Sequence, residues 1–349
     1  MDSLLLPLFI LIIASVFQGT FGLGMKYVKP LAWEAWWLVH ATIAMVIFPL
    51  IWALIVVPDL FGVLSQAPQN EVFIGALLGF LWGIGGIMFG VSVGYIGMSL
   101  TYGIVMGSCA ISAALISMAR NFTDLSGTVI GITCVGLALF AVAVYIITVG
   151  GLKRDKMLAE AGKEIQGIAK GAEFKKGLII AVVCGLLSAM LAIGFENTVQ
   201  IGEIAKEEGA LDRNSALARW VVVLAGAYIM NAGYALILLI KNKSFGSYGV
   251  QGGISVLKWA VIAGLLWFAA LGTYGQAVAL LGKTGTMIGW PIMLGLSLIV
   301  SNAVAVMTGE WKGAGKPMKL MIVGVIIIIG ATALMTYAST LPMGETDVF

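Results

Sequence analysis

Long apolar runs separated by short polar breaks recur along the chain. Ten of them reach the length of about 20 predominantly apolar residues that a membrane-spanning helix needs. They cover approximately residues 3 to 24, 34 to 57, 72 to 95, 98 to 118, 128 to 150, 176 to 198, 219 to 240, 256 to 280, 284 to 307 and 319 to 340. The first run has no basic leader and no Ala-x-Ala cleavage site, so it is expected to remain in the mature protein. Two polar connections carry most of the soluble surface. One spans 151 to 175 and includes Lys153, Arg154, Lys156, Lys163 and Lys170. The other, about 199 to 218, includes Glu203, Lys206, Glu207, Glu208, Asp212 and Arg213 and is expected to form a surface helix. Neither is large enough to be a catalytic domain.

The segments around residues 74 to 107 and 261 to 295 show that the pattern repeats. In the first, two apolar runs meet at so short a turn that they form a helical hairpin. Its glycines fall in two ladders of spacing four, Gly75, Gly79 and Gly83, then Gly86, Gly90 and Gly94. A face so poor in side chains lets another backbone approach closely in a membrane. About 185 residues later Gly264, Trp267, Gly275, Gly282 and Thr286 fall opposite Gly79, Trp82, Gly90, Gly97 and Thr101. Such a duplication changes the fold reading more than any local propensity. The chain divides into a five-helix repeat at 1–150, a linker at 151–175 and a second five-helix repeat at 176–349. An odd number of helices per half inverts one half relative to the other. The expectation is an all-α integral membrane protein of ten transmembrane helices, a 5+5 inverted repeat, with substrate near the midplane between the halves.

Composition settles the solvent. Of 349 residues, 60% are hydrophobic and 11% charged, with a mean hydropathy of +1.03, whereas a soluble domain carries about 25% charged residues. The net charge of +3 matters less than its placement. Lys and Arg number fifteen in odd-numbered loops, among them Lys26, Lys29, Lys241 and Lys312. Only five, Arg120, Lys206, Arg213, Arg219 and Lys283, fall on the other side. The excess marks the cytoplasmic side, so both termini are expected in the periplasm. No basic run interleaved with aromatics suggests nucleic acid. Cys109, Cys134 and Cys184, at unrelated spacings in apolar segments, read as small packing residues. One histidine excludes multi-histidine metal sites, and no phosphate-cradling Gly-Lys-Ser/Thr is present. No enzyme, cofactor or ATP is implied, and transport must draw on a gradient or be passive.

Several strings then acquire a family meaning. Trp33-Glu34 with Trp37, Trp82-Gly83-Ile84-Gly85 with Gly90, Tyr95-Ile96-Gly97-Met98-Ser99, Lys176-Gly177-Leu178, Cys184-Gly185, Ser188-Ala189, and Glu310-Trp311 with Ala314-Gly315 resemble the L-rhamnose and proton symporter family. That family is a branch of the drug/metabolite transporter superfamily, and the likeness runs nearly end to end. The resemblance implies a drug/metabolite transporter-like fold and a proton-coupled sugar importer of the bacterial inner membrane. The chain departs from the family pattern at Gly86, directly after the Trp-Gly-x-Gly string, at the Gly275-Gln276 region and at His40.

Ionisable groups inside a membrane cost at least about 2.5 to 3.5 kcal/mol at mid-depth, which makes them functional candidates. Glu196, next to Asn197 at the end of helix six, has the carboxylate a proton carrier requires. The plain alternative is an interfacial acid closing a helix. His40 is flanked by Trp36, Trp37 and Thr42, and it titrates during transport, lines the pocket or makes a structural hydrogen bond. Trp82 and Trp267 are repeat mates, and an indole stacks on the apolar face of a sugar while its N–H donates to a hydroxyl; otherwise they are aromatic filler. Gln18, Gln276, Asn231, Tyr234 and Tyr274 in apolar helices, with Asn197, supply neutral donors and acceptors suited to binding an uncharged solute, or else helix-joining hydrogen bonds worth about 0.6 kcal/mol each. Glu34, Lys26, Lys29, Glu310 and Lys312 at helix ends read as interface anchors or a gate.

The expected function is import of a monosaccharide, L-rhamnose or a related deoxy sugar, by proton symport through alternating access. Trp82 and Trp267 bind the sugar, and Glu196 with His40 couples the proton. The rivals are a carrier of another small neutral metabolite, a Na+-coupled or facilitative carrier, and a membrane sensor without transport. A sensor would need an output domain, which connections this short do not supply. The expected partners are sugar, proton and membrane lipid, with helices five and ten, poorest in polar residues, as faces for lipid or for a second copy in a homodimer.

Overall fold

A computed structural model describes residues 2–160 and 169–342, and all regular structure among them is helical. Nine segments among the described residues are long and apolar enough to cross a membrane. In hydrocarbon every backbone N–H and C=O must be paired within its own segment, which a helix achieves. Large apolar side chains lie exposed along these segments, for example Phe9, Ile55, Phe73, Ile237 and Ile326. A bilayer, and not water, is the solvent such surfaces fit. This is a multi-pass membrane protein.

The elements follow the expected runs with informative differences. Helix α1 spans Asp2–Thr20 and passes into a 3-10 turn at Phe21–Tyr27. The second run is one candidate span, Trp33–Val56, but its turns change midway. It comprises α2 (Trp33–Thr42), a π-helical stretch Ile43–Ile47 and α3 (Phe48–Val56). Pro49 is the cause: it has no N–H to donate and crowds the turn before it. The Phe48 N–H accordingly reaches back five residues to the Ile43 carbonyl. A short helix, α4 (Leu60–Gln66), precedes α5 (Gln69–Ile96) and α6 (Met98–Arg120).

Helix α7 (Gly127–Glu160) runs about ten residues past its expected end. The sequence Lys153 to Glu160 is rich in good helix formers, and Lys156 pairs with Glu160 one turn on at 3.9 Å. Of the expected linker, residues 161–168 lie outside the described residues. After α8 (Gly171–Glu196) comes α9 (Val199–Glu207), the helix expected in the second polar connection. Then follow α10 (Ser215–Lys241), α11 (Gly253–Leu281), α12 (Gly285–Met307) and α13 (Gly315–Ala338). A single 55-residue candidate span holds both α11 and α12, separated by one 3-10 turn at Gly282–Thr284.

The repeat-matched glycines Gly97 and Gly282 both break their helices with positive φ, 78° and 63°. An L side chain pays for that conformation, so glycine is the residue suited to ending one helix and starting the next within a turn.

By contacts the chain forms two compact units, and each draws on both halves of the sequence. One comprises Asp2–Ile84 and Met190–Gly282, the other Gly85–Ala189 and Lys283–Phe349. In the first, the glycine ladder of α5 meets α10 as backbone against backbone. A Cβ on Gly79 would collide with the Val223 carbonyl, and one on Gly226 with the Ala76 carbonyl and carbon. The second ladder behaves differently: Gly86 and Gly90 face open space, with nothing within 4 Å of an added Cβ. In the second unit α7 packs along α13, where Gly150 approaches the Pro317 carbonyl and Gly324 approaches Ile147. The outward faces of these two helices carry exposed Val135, Val142, Ile322 and Ile329.

Candidate functional site

The expected site residues of the first unit fall into two groups. The first forms where α2, α5, α10 and α11 converge. Trp82 and Trp267 meet with ring centroids 5.3 Å apart at 31°. Trp267 is buried and Trp82 half-buried. Gly83 brings α5 against Met230 and Asn231 of α10. Asn231, buried, donates from Nδ2 to the Ala227 carbonyl at 2.9 Å and accepts from Trp37 Nε1 at 3.1 Å. Trp37 in turn stacks on Trp33 at 5.2 Å, and Trp33 meets Tyr234 edge-on at 6.4 Å.

His40 lies behind this wall. Its ring stacks on Trp36 at 5.3 Å and packs against Trp37 at 5.0 Å, and it is hydrogen-bonded to the Ala260 backbone. At 1% exposure the imidazole has no open face in this conformation. The π-helical turns begin three residues later, beside the Thr42 to Tyr228 hydroxyl contact of 3.3 Å. Such π segments are frequent at functional sites.

Replacing Asn231 by Leu would leave the part-buried Trp37 N–H without its acceptor, which costs about 1–3 kcal/mol. The expected result is a lower thermal-unfolding midpoint of the purified protein; an unchanged midpoint would show that the bond contributes nothing.

The second group lies further along α10 and α11 and takes in the end of α8. From Arg219 to Asn231 is twelve residues of α10, about 18 Å at the helical rise. Glu196 ends α8 and is half-buried, with Asn197 following it. Tyr274 is fully buried beside Phe195 and Trp220, whose rings stack at 4.4 Å. Gln276 donates to Asn214 at 2.9 Å. Gln18 lies in α1, and its buried Oε1 has no hydrogen-bond partner among the described residues.

Arg219 joins this second group, and the sequence reading does not single it out. The sequence reading places it among the loop charges because the apolar run begins at it, yet α10 starts four residues earlier and buries it to 7% exposure. Its Nη2 donates to the Phe195 carbonyl at 2.6 Å, and its guanidinium lies 3.8 Å over the Phe195 ring. It interacts electrostatically with Tyr274, Glu196, Glu71 and Glu203. Glu71, from the start of α5, accepts the Gln200 N–H at 3.1 Å. The legible signal was Ala216-Leu217-Ala218 ahead of the arginine, an apolar lead-in that loops seldom have.

Elsewhere, Glu34 is buried and accepts from Asn242 at 3.0 Å and Ser244 at 2.5 Å, which ties the start of α2 to the end of α10. In the second unit Lys283 pairs with Asp124 at 2.8 Å on an exposed surface. Among the described residues no group of three or more His, Cys, Asp or Glu side chains is arranged to hold a metal ion.

Comparison with known proteins covers almost the whole chain. Residues 1–340 match the family model described as L-rhamnose-proton symport protein (RhaT). Among curated relatives, the L-rhamnose-proton symporter of Yersinia pestis is 28% identical over 319 residues, 87% of this chain and 89% of the relative. That of Cronobacter sakazakii is 27% identical over 329 residues, 92% and 93% of the two chains. A solved protein crystal structure shares the fold with a TM-score of 0.59 at 12% identity, covering 95% of this chain and 96% of the other.

Proposed function

This chain belongs to the L-rhamnose-proton symport protein family, and from that premise we propose that it imports L-rhamnose or a related deoxy sugar with a proton across the bacterial inner membrane. In this reading α11 and α12 each cross the membrane once, which makes ten crossings and a 5+5 inverted repeat of the drug/metabolite transporter type. The matched positive-φ breaks at Gly97 and Gly282 support it. The Lys and Arg asymmetry supports a periplasmic position for both termini.

The observation that carries the sugar site is the meeting of repeat-matched Trp82 and Trp267 beside the neutral amide of Asn231. Indole faces and neutral donors suit a solute with one apolar face and many hydroxyls. In the conformation described, the two indoles cover each other, so sugar enters as they part. Glu196 takes the proton in a cluster where Arg219 supplies the opposing charge. His40 enters the proton path only in a conformation that opens the Trp36–Trp37 stack. Because the two groups are about 18 Å apart along α10, coupling runs through a change of conformation and not through contact between proton and sugar.

The test is uptake of labelled L-rhamnose into proteoliposomes with and without an inward proton gradient, with unlabelled sugars as competitors. Gradient-driven accumulation blocked by L-rhamnose and close deoxy sugars is the expected result. Folded protein that shows neither uptake nor competition would reject the sugar reading.

A further inference from the structure

The second unit contains a cavity of about 230 Å³ between α6, α7, α12 and the turn that leads into α13. Two strings that are distant in sequence meet in its wall, Met98-Ser99 and Glu310-Trp311. The charges in the wall already answer one another. Arg154 pairs with Asp155 at 2.8 Å and with Glu310 at 3.8 Å, and it lies 4.9 Å over the Trp311 ring. Ser99 donates to Asp155 at 2.5 Å. An anion entering the cavity would have to compete with two carboxylates for Arg154, and a cation would have to compete with Arg154 for them.

What the wall leaves over is neutral. Trp311 is 4% exposed, and its Nε1 is a buried donor with no hydrogen-bond partner among the described residues. An unpaired buried donor is costly, and a hydroxyl oxygen entering the cavity would satisfy it. Asn302 spends its Nδ2 on the Leu298 carbonyl at 2.8 Å, so its Oδ1 remains as an acceptor. Tyr102 adds an aromatic face and a phenol to the same wall.

A mostly apolar pocket with aromatic faces and a few placed neutral donors and acceptors is the chemistry that recognises a polyol. We infer that this cavity is a second sugar site, separate from the Trp82–Trp267 pair. Arg154, in the last two turns of α7, and Glu310, in the turn between α12 and α13, lie on the side that the charge asymmetry assigns to the cytoplasm, so the site loads from that face and holds sugar after its passage. The inference rests on the sugar reading above for its ligand, and on the cavity alone for its place.

Right-side-out and inside-out vesicles separate the two faces. Asn302→Leu, and Trp311→Phe, which keeps an aromatic ring beneath Arg154, should each raise KM for L-rhamnose offered from the Arg154 face about fivefold, the value of roughly one hydrogen bond. KM from the opposite face should stay within about twofold. Unchanged values at the Arg154 face in both variants overturn the site.

Hydroxyl-radical footprinting of the wild-type protein needs no variant. L-rhamnose, and not mannitol at equal concentration, should protect Met98 and Tyr102 from oxidation, and absence of protection also overturns it. Protection without transport of L-rhamnose would instead reject the transport reading and leave the cavity as a sugar site. Transport with neither protection nor a change in KM would do the reverse.

Discussion

Glu196→Gln is expected to abolish proton-driven accumulation of sugar while leaving sugar-for-sugar exchange intact. The substitution keeps the size and hydrogen-bonding outline of the side chain at the end of α8 and removes its ability to carry a charge and take up a proton. A gradient of one pH unit coupled to one proton per sugar is worth about 1.4 kcal/mol, a tenfold accumulation. In the variant the internal to external ratio should fall to about one, because sugar still crosses but no longer with a driving ion. Exchange survives because it needs only the loaded carrier to reorient.

Glu71→Gln is the discriminating control. Glu71 also interacts with Arg219, but its carboxylate accepts a backbone N–H from Gln200, which holds it as a structural acceptor. If Glu71→Gln loses accumulation and Glu196→Gln keeps it, the proton carrier is Glu71. Retention by both variants would remove both carboxylates from the coupling path.

Gly226→Leu should be among the most damaging single substitutions in the chain, and Gly86→Ala among the least. At Gly226 an added Cβ meets the backbone carbonyl and carbon of Ala76, and the reciprocal Gly79 meets the Val223 carbonyl. Two backbones cannot yield as a flexible side chain can, so α5 and α10 must separate. Such overpacking costs typically about 1–3 kcal/mol and occasionally more, and here only the backbone can move. Helix association in lipid depends on close van der Waals packing and has no hydrophobic drive between the helices to compensate. Loss of the monodisperse species in detergent is the expected outcome.

Gly86 meets nothing within 4 Å, and alanine in a helix interior is favoured over glycine by about 1 kcal/mol. Gly86→Ala should therefore match or exceed the wild-type thermal midpoint. A well-folded Gly226→Leu, or an unfolded Gly86→Ala, would show that these contacts are not where the stability resides.

The contrast between those glycines shows how far the sequence reaches. The ladders are identical in spacing, and nothing in composition separates Gly79 from Gly86. Only the course of α10, which crosses the first ladder at Val223 and Gly226, distinguishes a contact from open space. Arg219 makes the same point for the site. Its neighbours in sequence could be read, but its burial depended on where α10 began and on Phe195 arriving from α8. Trp82 and Trp267 were legible as a pair because duplication aligned them, whereas the 5.3 Å contact between them came from the packing.

By itself the sequence determined the solvent, the helical class, the positions of the apolar runs and the family. Each of these depends on local composition or short strings, and a membrane accepts few alternatives to an apolar helix. The tertiary structure decided the pairing of helices into units that mix the two halves, the burial of Arg219 with Glu196 and Glu71, and the cavity beside Trp311. These depend on contacts between residues far apart in sequence, and helical periodicity reports which face of a helix is apolar but not which neighbour covers it.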